Sequence, residues 1–125
     1  MKQLLLVFVG GGIGTVMRFW MGKLLPYSGK GFPWATFGVN LLGCFIIGLI
    51  TGFVLRNSSE NQSSLVLFAV IGFCGGFTTF SSFAFENLSF LRSGAFGTLM
   101  AYTLLSLSLG LLMVYLGIWI DKYLH

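Results

Sequence analysis

The chain has 125 residues, 56% hydrophobic and only 8% charged, with a mean hydropathy of +0.92. Soluble domains carry about 25% charged residues, so the composition excludes a soluble fold and predicts one integral membrane domain over residues 1–125. A net charge of +4, spread over the loops, leaves no nucleic-acid footprint.

Lys2 and the apolar run Leu4–Val9 open the chain as a signal peptide would, but no small-residue cleavage site follows. The segment over residues 3–25 therefore reads as a retained first helix. Gly10, Gly11, Gly12 and Gly14 give it a small-residue face suited to close helix packing. Arg18 is either a snorkelling residue near the helix end or a cation at the mouth of an anion path. Pro26 to Pro33 form the first loop.

A second helix is predicted over residues 34–55. Thr36 and Asn40 are four apart and share a face. Asn40, the one amide in an apolar span, either glues helices together or donates its NH₂ to an anion. Residues 56–64 make the most polar loop. Cys44 and Cys74 lie in apolar spans with no Cys or His at ligand spacing, and His125 is the only histidine. Redox and zinc chemistry are not expected from them.

The third segment holds the stretch Gly72–Glu86, GFCGGFTTFSSFAFE. The apolar run Leu65–Phe77 is too short for the roughly 20 residues a crossing needs, and the run after it is no longer. Joined over 65–90 they suffice, which predicts one crossing broken mid-membrane, where Gly75 and Gly76 loosen the helix and two threonines follow. Such a break exposes carbonyls on one side and N–H groups on the other, the raw material of an ion site. Phe80 and Phe83 face the same way, with Glu86 three residues on. These rings either simply pack or offer electropositive edges to a small anion. Glu86 is expected near the membrane boundary.

A fourth helix is predicted over residues 95–120. Tyr102, Ser106 and Gly110 are spaced by four on one face, and Gly110 and Gly117 suit close packing. Asp121, Lys122 and His125 are expected to end the chain in water. With four crossings, Lys2, Arg56 and Lys122 fall on one side, and Lys23, Lys30 and Arg92 on the other, with Arg18 near the latter. The positive-inside rule then has almost nothing to act on. Two copies in opposite orientations are expected to pair as an antiparallel, dual-topology dimer, an inverted repeat made from separate chains.

Three motifs, GGGIGTVMR over 10–18, TFGVNLLG over 36–43 and GFCGGFTTFSSF over 72–83, together resemble the Fluc (CrcB) family of fluoride channels over essentially the whole chain. The resemblance implies an all-α fold of four transmembrane helices, the third broken. It also implies an antiparallel homodimer in the cell (inner) membrane, multi-pass among the lipids, with two pores exporting fluoride passively. Carried over by position, Phe80 and Phe83 match the pore phenylalanines and Asn40 the pore asparagine. Thr36, Glu86 and Tyr102 match a polar cluster at one end of the path, and Arg18 a vestibule arginine. Ser106 matches the start of a polar track, and Thr79 and Ser81 are further hydroxyls of the motif. Gly75 and Thr78 match positions whose backbone carbonyls hold a structural sodium ion at the dimer interface. The chain departs from the pattern at Gly110 and Val114, where the track usually carries hydroxyls; this admits a paralogous partner in a heterodimer. An exporter of the small-multidrug-resistance type needs a carboxylate in the first helix, which has none. A non-transporting assembly protein is the other rival. No nucleophile–base pair can be assembled, so an enzyme is not expected.

Overall fold

A computed structural model describes residues 1–57 and 62–124; the middle of the second loop and His125 lie outside them. Among the described residues there are helices and turns and no strand. Four segments are long and apolar enough to cross a membrane, Lys2–Leu24, Trp34–Arg56, Gln62–Ser93 and Phe96–Leu124. The chain is an all-helical, multi-pass membrane protein.

Helix α1 (Lys2–Leu24) stops where Leu25 precedes Pro26 and takes up φ −123°, ψ 70°. A residue before proline is pushed out of the helical region. Pro33 sits at the start of α2 (Trp34–Arg56), where its missing N–H costs nothing. The third segment is composite. A short α3 (Gln62–Leu65) passes into a π-helical stretch, Val66–Cys74, and then a single turn, α4 (Gly75–Phe77). Thr78 (φ −77°, ψ 157°) and Thr79 (φ −146°, ψ 114°) are extended. Helix α5 (Phe80–Ser93) follows and ends on Gly94, whose φ of 75° only glycine adopts freely. Helix α6 (Phe96–Leu124) closes the chain. Gly75 and Gly76, read from the sequence as the loosening pair, are themselves helical; the extended residues are the threonines beyond them.

The helices pack in two close pairs, and glycine is why. Between α2 and α6, a Cβ on Gly48 would overlap the Val114 carbonyl, and one on Gly117 would overlap the Phe45 carbonyl. Between α1 and the third segment, side chains at Gly10 and Gly14 would overlap the Phe68 and Phe73 carbonyls. Gly76 stands as close to the Gly11 carbonyl. In an apolar solvent such backbone contact supplies van der Waals attraction that lipid tails cannot match.

Asp121 does not end the chain in water: it is 6% exposed, stacked against Gly52, with Oδ2 2.5 Å from Arg56 Nη2. A buried carboxylate needs a partner, and α6 runs a turn further than expected, carrying Asp121 beside the last turn of α2.

Candidate functional site

The site is built around Thr78 and Thr79. In an unbroken helix the Thr79 N–H would reach the Gly75 carbonyl. Here it donates to Asn40 Oδ1 at 2.8 Å, and Asn40 Nδ2 donates back to the Thr79 carbonyl at 3.2 Å. The amide of α2 thus stands in for the missing backbone partner. Thr78 N–H and Oγ1 both donate to the Cys74 carbonyl, at 2.9 and 2.8 Å. Arg18 Nε donates to the Gly76 carbonyl at 2.9 Å. Thr79 Oγ1 accepts from the Ser82 N–H at 3.2 Å, capping α5. Among the described residues, the carbonyls of Gly75, Phe77 and Thr78 and the N–H groups of Phe80 and Ser81 have no hydrogen-bond partner. Free carbonyls and free N–H groups therefore lie within a few residues of each other.

A cavity of about 220 Å³ opens beside the N-terminus of α5, lined by Asn40, Thr78, Thr79, Phe80, Phe83, Ser106 and Leu107. It gathers six residues singled out in the sequence. The Phe80 and Phe83 ring centroids are 5.9 Å apart, and Phe80 is 79% exposed. Gly75 and Ser81 are exposed as well. A second cavity, of about 170 Å³, lies between Arg18, Thr36, Thr79 and Ser82. Ser81 lines a third, with Tyr27, Ser82 and Glu86. Ser82, which borders two of the three, was missed in the sequence. Nothing in the sequence singled it out: a capping box needs Glu or Gln three residues after the threonine, and what Ser82 gives the cap is its backbone N–H.

Glu86 is buried in the protein. Its Oε1 accepts from Thr36 Oγ1 and its Oε2 from Tyr102 OH, both at 2.6 Å. Two short bonds from hydroxyls satisfy a carboxylate that, among the described residues, has no basic partner. Phe32, Phe83 and Phe90 close around the Tyr102 ring at centroid distances of 5.3, 5.0 and 6.0 Å. On α6 the face beyond Ser106 closes against α2. A Cβ at Gly110 would meet Cys44 Sγ at 3.6 Å, and the Val114 carbonyl abuts Gly48. Among the described residues no three His, Cys, Asp or Glu side chains cluster as metal ligands would.

Residues 5–118 match the family described as CrcB-like protein, Camphor Resistance (CrcB). The chain belongs to the CrcB family. Among similar members, a protein of Phocaeicola vulgatus named fluoride-specific ion channel FluC is 45% identical over 123 residues, covering 98% of this chain and 100% of its own length. A FluC of Gloeothece citriformis is 42% identical over 126 residues, covering 98% of both chains. A FluC of Thermus thermophilus is 42% identical over 118 residues, covering 94% of this chain and 93% of its own. These CrcB relatives are named as ion channels, not as enzymes.

Proposed function

We propose that the chain is one subunit of a fluoride-selective channel that lets fluoride leave the cell passively. The cavity of about 220 Å³ at the start of α5 carries this reading, because its donors are neutral, moderate and several. Asn40 Nδ2 has a second N–H beyond the one given to Thr79, Ser106 offers a hydroxyl, and the phenylalanine rings have electropositive edges. The unpaired N–H groups opening α5 add the positive end of a helix dipole. Such a set replaces part of a tightly held hydration shell without trapping the ion, as conduction requires. The named activity of the CrcB relatives supports the same choice of ion.

In this reading the third helix is broken mid-membrane, and two copies lie antiparallel in the cell (inner) membrane, forming two pores. The exposure of Phe80, which lines the cavity, supports a second copy. The near-equal Lys and Arg counts on the two sides support dual topology. A structural sodium ion at the seam would be held by the backbone carbonyls of Gly75 and Thr78. The donors fit it: both carbonyls lack hydrogen-bond partners, Gly75 is open to its surroundings, and unwound carbonyls suit sodium. When bound, the ion would add positive potential beside the path. A heterodimer with a paralogous subunit is the second reading, favoured by Gly110 and Val114 standing where hydroxyls are expected.

The test is fluoride and chloride efflux from liposomes holding the purified chain alone, beside Phe80→Ile and Asn40→Asp. Fast fluoride loss, little chloride loss and a fall of about tenfold or more in both variants are expected. No efflux from well-folded dimers would overturn the homodimer reading and point to a partner subunit.

A further inference from the structure

Arg18 gives one of its N–H groups to the backbone. The Nε bond to the Gly76 carbonyl links α1 to the last helical turn before the extended threonines, 58 residues away in sequence. Arginine has five N–H donors in a rigid fork, so four remain. The same side chain lines the cavity shared with Thr36, Thr79 and Ser82. In a continuous helix the Gly76 carbonyl would accept from Phe80; with Thr78 and Thr79 extended, that donor is gone. Without Arg18, the carbonyls of Gly75, Gly76, Phe77 and Thr78 would be four consecutive orphans. Gly75 and Gly76 have no side chains to resist tilting of their peptide planes.

We infer that Arg18 is a positioning residue, which by holding the Gly76 carbonyl fixes the directions of the neighbouring carbonyls and so sets the affinity of the interruption for a monovalent cation. Asn40 does the corresponding work on the other side, through the Thr79 peptide. The inference rests on the channel reading with its sodium ion. It also makes a counter-intuitive prediction of sign. By charge alone, a guanidinium near a cation site repels the ion, so removing it should tighten binding. By positioning, removing it should loosen binding.

Sodium chloride titration of the purified full chain decides between them. Tryptophan fluorescence (Trp20 lies two residues from Arg18) and dimer fraction by light scattering both read binding without flux. Arg18→Met, similar in length but without charge or donors, is expected to raise the half-saturating sodium concentration about fivefold. Arg18→Lys, whose ammonium can still meet a carbonyl, should stay within about twofold of wild type. Arg18→Leu, which also lacks charge and donors, replaces Arg18→Met, with the same expected sign, should the latter not be monodisperse. Unchanged or tighter sodium binding on loss of Arg18 would overturn the inference, as would a wild-type chain with no sodium response. Fluoride efflux is measured in parallel. Its absence from a sodium-responsive wild type would sink the channel reading separately, leaving the positioning role standing.

Discussion

Asn40 shows how much one side chain can be asked to do. Its sequence context left two readings open, helix glue or anion donor, and the geometry assigns the first to two of its bonds while leaving one N–H for the second. Asn40→Ala would strand the Thr79 N–H, at about 1–3 kcal/mol, while the Thr79 carbonyl, at the N-cap, keeps the first bond of α5. Asn40→Asp keeps the acceptor for the N–H but sets a carboxylate against a carbonyl. Both should lower the unfolding temperature in detergent, and a melt indistinguishable from wild type would refute the clamp. Glu86 makes a parallel case. Tyr102→Phe keeps the buried ring but removes the donor to Oε2, and hydrogen bonds to charged groups contribute about 1.5–3 kcal/mol. The expected result is a less stable protein with slower fluoride efflux, read by thermal unfolding and an ion-selective electrode. The residues of this cluster were legible only through family resemblance. Nothing in their spacing says that Thr36, Glu86 and Tyr102 meet, because they come from three helices.

At the level of elements, the glycines were legible as a class and misread in one case. Gly10, Gly14, Gly48 and Gly117 lie where helix backbones touch, as small residues in apolar spans suggest. Gly76 looked like a helix loosener and is instead a contact residue, helical and pressed on Gly11. The extended conformation falls to Thr78 and Thr79, which Asn40 and the capping of α5 can stabilise. A contrast tests this. Gly117→Ala would drive a methyl into the Phe45 carbonyl and should cost about 1–3 kcal/mol through overpacking. Gly97→Ala meets nothing within 4 Å and should be neutral or slightly stabilising, since alanine is the better helix former. Equal effects of the two, measured by gel filtration and thermal melting, would refute the contact model. The burial of Asp121 was invisible in the sequence because it depends on Gly52 and Arg56 of another helix.

At the scale of the whole molecule, composition alone gave the class, and hydropathy gave four spans whose ends moved by only a few residues. The assembly is among the proposals, and a single chain's sequence reaches it only through its charge balance. That balance can be upset. Placing two arginines on one side, Ser28→Arg with Ser93→Arg, both exposed, loads that side and should drive nearly all copies into a single orientation. Labelling of single cysteines from each side of intact cells would read this as a shift from mixed to one-sided access. If the active unit is antiparallel, such a chain expressed alone should lose fluoride efflux. A second chain charged on the opposite side should restore it. Efflux that survives one-sided insertion would refute the antiparallel unit.

The π-helical stretch Val66–Cys74 has a consequence for editing the chain. A π turn holds about one residue more than an α turn, so it behaves as a stored insertion. Deleting Ala69 would let the stretch rewind as ordinary α-helix. The residues after it would then keep nearly their present direction around the axis, and Phe80 would stay on the cavity it shares with Asn40, whereas a residue lost from an α-helical stretch turns everything after it by about 100°. The spacing of the cavity walls is thus a matter of counting. One lost codon between residues 66 and 74 should therefore be tolerated where one lost from α2 or α6 is not.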